Sequence, residues 1–272
     1  MATCHHSGVP NLASTLLSLS LAGLLTLAAF TDPWLVAAVV VVIQLLIAVA
    51  PGPVSDVEVP RFVAVAGAGL VATALTMWPG ALEGADGTSE KVFGHADNGM
   101  IASILPAVVV GVFLTLATQM LRTDGRSKLV STASYSVALS VCAALAVAWI
   151  GAVKSFGDAD VVAVGAAGVG AGLLVWLLPI DRWVCGSIAM VAGAAAGAAV
   201  VLNVDTPMTW VLGMTLGATA AVFAILGQVL GRQWAQGHPH PAAGWGLPGA
   251  LSVALAAPIV YIAGQLIGAP GF

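Results

Sequence analysis

Most apolar residues of this chain come in runs of about 18 to 23, separated by short polar segments, and that spacing leaves few ways to fold. At 1.5 Å per residue such a run, wound as a helix, crosses a hydrocarbon core ~30 Å thick. In lipid no water is present to satisfy backbone N–H and C=O groups. An open strand is therefore excluded, even for the β-branched stretch Val39–Ile43. Only 7% of the residues are charged, against about a quarter in soluble domains. The expected fold is all-α: a polytopic transmembrane helical bundle forming a single integral membrane domain over residues 1–272.

Breaks in the pattern place about nine spans, with eight to ten as the range: 13–30, 34–50, 62–82, 99–121, 129–153, 161–180, 184–202, 209–230 and 246–267. Thr31-Asp32-Pro33 turns the first span into the second, Asp32 as a helix cap and Pro33 at the first helical position. Pro51-Gly52-Pro53 ends the second span, and Asp158-Ala159-Asp160 closes an acidic turn before the sixth. The first twelve residues lack Lys and Arg, so the first apolar run is expected to be a retained span rather than a cleaved signal peptide.

The stretch Arg122-Thr123-Asp124-Gly125-Arg126-Ser127-Lys128 holds three of the eight Lys and Arg residues between two long spans. With nine spans and a cytoplasmic N-terminus, Arg61, Arg122, Arg126, Lys128, Arg182 and Arg232 share one side. Only Lys91 and Lys154 fall on the other. That segregation follows the positive-inside rule and predicts a multi-pass protein of the cell (plasma) membrane, its basic side cytoplasmic. Trp34, Trp78, Trp149, Trp176, Trp183 and Trp210 lie near span ends, where an interfacial aromatic belt is expected. The scattered net charge of −4 and the absence of a basic stripe argue against nucleic acid as a partner.

None of the twelve acids or eight bases falls at the centre of a predicted span. Because buried intramembrane charges mark proton relays and ion paths, this argues against a proton-coupled pump. Gln44, Gln119, Tyr135, Ser136, Ser140, Gln228, Tyr261 and Gln265 are the main polar residues within spans. They serve either as interhelical hydrogen-bonding groups or as a polar path, for which Gln119, Tyr135, Ser136, Tyr261 and Gln265 are the candidates. Arg122, Arg126 and Lys128 are the candidate contacts to a phosphate or lipid headgroup.

Three glycine-rich stretches, around Gly168–Gly172, Gly193–Gly197 and Gly213–Gly217, carry the G-x-x-x-G spacing that lets backbones approach closely. They read as packing of spans six to eight or as an interface for a second copy or another membrane protein. Pro106 and Pro258 sit inside the fourth and ninth spans and can kink them. Cys4-His5-His6 and His238-Pro239-His240 lack the spacing of a metal site, and the acids Glu83, Asp86, Glu90 and Asp97 lack a cation-loop pattern. No metal and no cofactor is expected. With no P-loop, G-x-S-x-G, H-E-x-x-H or G-x-G-x-x-G at a strand–helix junction, no catalytic residue is assigned.

Gln119 to Arg126 and Ala256-Ala257-Pro258-Ile259-Val260-Tyr261, in an Ala/Val/Gly-rich background, resemble multi-spanning membrane proteins of high-GC actinobacteria. The resemblance implies a plasma-membrane location and no particular activity. The expectation is a non-enzymatic scaffold or ancillary component of the cell envelope, in contact with the lipid bilayer. The alternatives are a small permease for a neutral or lipid-like solute and, more weakly, a lipid-modifying enzyme.

Overall fold

In the computed structural model, residues 12–50, 58–78, 99–121, 129–154, 158–235 and 243–267 are described. Their helices are α1 (Leu12–Ala29), α2 (Pro33–Ala48), α3 (Glu58–Met77), α4 (Gly99–Met120), α5 (Leu129–Leu145), α6 (Ala148–Lys154), α7 (Asp158–Trp176), α8 (Arg182–Asn203), α9 (Trp210–Ala235) and α10 (Ala243–Ile267). Counting α5 and α6 as one run, Leu129–Lys154, seven of these segments are long and apolar enough to cross a membrane. The apolar parts of α2 and α3 are shorter. At 16 residues α2 is about 24 Å long, a few ångströms under a typical core, which local thinning accommodates.

Asp32 caps α2 as expected, its Oδ1 accepting from the Trp34 N–H at 2.7 Å with Pro33 behind it. Asp181 does the same for α8, accepting from the N–H groups of Trp183 and Val184 at 2.9 and 3.4 Å. Three sequence boundaries are corrected. Asp158-Ala159-Asp160 is the first turn of α7 and not a connecting turn, and the Asp160 carboxylate there complements the positive end of the helix dipole. The α9 helix continues past Leu230 to Ala235, and α10 starts at Ala243 with Pro248 inside it as well as Pro258.

The fifth predicted span is not one continuous helix. Between α5 and α6 the Val147 N–H bonds to Ala144 O and the Trp149 N–H to Ala146 O, both 3.3 Å, a tighter i→i−3 turn. Ala146 and Val147 are fully buried there, which is where lipid tolerates irregular backbone. Trp149 belongs to this break and not to an aromatic belt. It is fully buried and donates its indole Nε1–H to Val253 O of α10 at 3.0 Å. Trp34, Trp78, Trp183 and Trp210 are more than half exposed, as a belt requires.

The helices alternate in direction, as side-chain contacts at the two ends show. At one end Arg61 lies over the ring of Tyr135, and Tyr135 meets Trp234 edge-on, joining the starts of α3 and α5 to the end of α9. Ser14 and Gln228 bond across the start of α1 and the end of α9, and Gly231 abuts Pro248 near the start of α10. At the other end Trp34 meets Trp78, and Lys154 reaches Thr76 O at the end of α3. Buried α10 packs against α1, α2, α5, α6, α7 and α9, whereas α4 and α8 lie on the outside with large apolar side chains exposed.

The three G-x-x-x-G stretches are used inside the bundle. A Cβ on Gly193 would lie 2.6 Å from Gly217 O, one on Gly168 2.5 Å from the same carbonyl, and one on Gly197 would strike Gly213 O. Backbone contact of this kind among α7, α8 and α9 is possible only where side chains stop at hydrogen.

Candidate functional site: the basic end of the bundle

The contacts that fix helix direction also gather the described arginines. Arg61 begins α3, Arg182 begins α8 and Arg232 lies in the last turn of α9, all at one end. Lys154 lies at the other, where its Nζ donates to Thr76 O and Met77 O at 3.0 and 3.4 Å. A cation there complements the negative end of the α3 dipole. Arg122, Arg126 and Lys128, which opened the case for a headgroup contact, lie outside the described residues, as do Lys91 and every histidine.

The proposed polar path divides between the two ends. Gly111 packs against Ala68 and Ser140, so the antiparallel register of α4 with α3 and α5 brings Gln119 level with Arg61 and Thr132. Gln119 is 3% exposed. Ser136, also buried, bonds back to Thr132 O at 2.9 Å. Tyr135 is half-buried between the Arg61 guanidinium, 5.9 Å from its centroid, and the Trp234 ring at 5.6 Å. Cation–π attraction of this type contributes about 0.5–2 kcal/mol, more as water is excluded. Tyr261 and Gln265 lie one turn apart near the end of α10, towards the opposite end of the bundle. The Tyr261 Oη is buried with no hydrogen-bond partner.

Several other interior polar groups close on one another, although the buried Thr15 and Thr115 hydroxyls have no hydrogen-bond partner. Gln44 of α2 donates to Ala143 O of α5 at 3.1 Å and accepts from Thr73 of α3 at 3.1 Å, with Gly69 packed on its side chain. Thr76 and Ser103 share a 2.8 Å bond between α3 and α4. Near the basic end, Ser14 donates to Gln228 Oε1 at 3.1 Å, and Ser18 pairs with Ser252 at 2.7 Å and donates to Gly249 O at 3.1 Å. Gln228 Nε2 reaches Ser18 Oγ at 3.3 Å, completing a link between α1, α9 and α10. The Arg232 Nη2 then donates to the same Gln228 Oε1 at 3.3 Å.

Sequence reading treated Arg61 and Arg232 as orientation charges alone. Arg61 is 2% exposed, and Arg232 carries a buried Nε with no hydrogen-bond partner. The lone arginines in the first turn of α3 and the last turn of α9 gave no local sign of this, since their burial depends on which helices pack beside them. Among the described residues no group of three or more His, Cys, Asp or Glu comes together. Cys142 and Cys185 are free, buried thiols on α5 and α8.

No protein-family model, curated protein or solved structure matches this chain. The apolar helical bundle defines it as a multi-pass integral membrane protein.

Proposed function

We propose that this protein is a non-enzymatic, multi-pass component of the cell envelope, a scaffold or ancillary subunit seated in the plasma membrane with its basic end cytoplasmic. The observation that carries this reading is the closure of interior polar groups on one another, through Gln44–Thr73–Ala143 O and Ser14–Gln228–Ser18–Ser252. Such bonds contribute about 0.6 kcal/mol each and fix helix register. They leave those side chains committed to structure rather than to a passing solute. The outer helices α4 and α8 offer apolar faces, with Leu105, Phe113 and Val191 exposed, to lipid or to another membrane protein. The test is purification from native membranes in mild detergent with quantification of every co-eluting chain. A stoichiometric partner is the expected result, and saturable solute flux in liposomes is the result that would overturn it.

A second reading, a permease for a neutral or lipid-like solute, draws on the break between α5 and α6 beside α10, which carries Pro248 and Pro258. Broken helices and buried unsatisfied groups such as the Tyr261 Oη accompany solute sites in transporters. On this reading Pro258→Ala and Tyr261→Phe change flux in reconstituted liposomes. Absence of flux in the unsubstituted protein would rule it out.

A further inference from the structure

We infer that Arg182 and Arg232 together form a binding site for a phosphate-type oxyanion at the basic end of the bundle. Gly193 packs on Gly217 and Gly197 on Gly213, so α8 and α9 run antiparallel in a register that sets Arg182, at the start of α8, level with Gln228 and one turn from Arg232 in the last turn of α9. Two like charges held at the same end of a packed bundle repel, unless an anion sits between them. Among the described residues no carboxylate pairs with either. The nearest acid in sequence, Asp181, spends its Oδ1 on the Trp183 and Val184 N–H groups that it caps.

The donor set of Arg232 is also incomplete. Its Nη2 bonds to Gln228 Oε1 at 3.3 Å, which orients the guanidinium, while its Nε is buried with no hydrogen-bond partner. Gln228 is in turn held by Ser14 and Ser18 of α1, and Ser18 pairs with Ser252 of α10, so the fork is fixed from behind by α1, α9 and α10. A pre-positioned arginine fork with an unused N–H suits a tetrahedral oxyanion, whose oxygens accept several N–H donors at once. Arg182 is exposed and supplies the second charge from the surface, next to Trp183, whose 88% exposed indole fits the headgroup layer. The ligand chemistry is a phosphate ester or phosphate ion, either a lipid headgroup or free in solution.

The test uses the full chain, delipidated in detergent, with native mass spectrometry to measure binding. One arm titrates dioleoylphosphatidylglycerol, with dioleoylphosphatidylcholine as the reference, and the other titrates inorganic phosphate. Phosphatidylglycerol is expected to bind more tightly than phosphatidylcholine and to weaken about fivefold in Arg182→Gln and in Arg232→Gln. Lys154→Gln, at the far end, leaves the affinity unchanged. Arg232→Lys, which keeps the charge but loses the fork, gives an intermediate loss and guards against misfolding of the Gln variant. Saturable phosphate binding with the same variant pattern and no lipid preference assigns the site to a free anion. Equal affinities in Arg182→Gln, Arg232→Gln and the unsubstituted protein, in both arms, would overturn the inference.

Discussion

The Trp149 indole N–H and the Val253 carbonyl meet at 3.0 Å in the buried centre of the bundle, tying the short α6 to α10 just after the chain breaks out of α5. The bond uses a helix carbonyl one turn before Pro258, in the helix that most of the others surround. It explains why an aromatic residue that belongs by composition at an interface lies wholly inside.

Replacing Trp149 separates the bond from the volume. Trp149→Phe should cost about 0.6 kcal/mol, the usual scale of one interhelical hydrogen bond. Trp149→Ala adds a large cavity and should cost about 3–5 kcal/mol. Equilibrium unfolding in mixed dodecylsulfate and maltoside micelles distinguishes the two. Equal losses would mean that the hydrogen bond alone holds the break, and no loss in Trp149→Phe that packing alone does.

The glycines divide sharply by what faces them. Gly197→Val drives a side chain into the Gly213 carbonyl on α9 and should prevent α8 and α9 from closing, with loss of a monodisperse species in size-exclusion chromatography. Gly186→Ala and Gly23→Ala meet nothing within 4 Å. Both should leave stability unchanged or raise it by up to about 1 kcal/mol, because alanine is the better helix former.

Lys154 closes α3 by donating to two of its last carbonyls. Lys154→Met keeps the apolar stem and removes the charge. It should cost about 0.5–1 kcal/mol at low ionic strength, the worth of a cation at a helix C-terminus. Thermal midpoints in low and high salt check this, and the difference from the unsubstituted protein should shrink as salt rises.

Orientation is testable at the two ends directly. In a background of Cys4→Ser, Cys142→Ala and Cys185→Ala, a membrane-impermeant maleimide applied to intact cells should label Lys154→Cys. On the proposed orientation, with the basic end cytoplasmic, it should label Arg182→Cys only after permeabilisation. The reverse pattern would place the basic end outside.

Local chemistry made much of this fold legible. Apolar run lengths specify helices because lipid offers no other partner to the backbone, and Asp32-Pro33 marks a helix start through a cap that needs only neighbouring residues. The alternation of helix direction was legible too, since Arg61, Arg182 and Arg232 fall at one end and Lys154 at the other. The break after Leu145 was not. Ala146 and Val147 are good membrane-helix residues, and the chain turns there because α6 then seats Trp149 against α10.

The same division holds for the polar residues. The sequence by itself determined that Gln119, Tyr135, Ser136, Tyr261 and Gln265 lie within membrane helices, and that glycine spacing permits close helix approach. Only the tertiary structure decided that the first three gather near the basic end and the last two towards the other, that the glycine faces are turned inward, and that Arg232 holds its fork against Gln228. The physical reason is that span formation is set by each segment's own transfer into lipid. Hydrogen-bond partners and burial depend on which helix lies alongside, and residues such as Ser14 and Gln228 meet across 214 positions of chain.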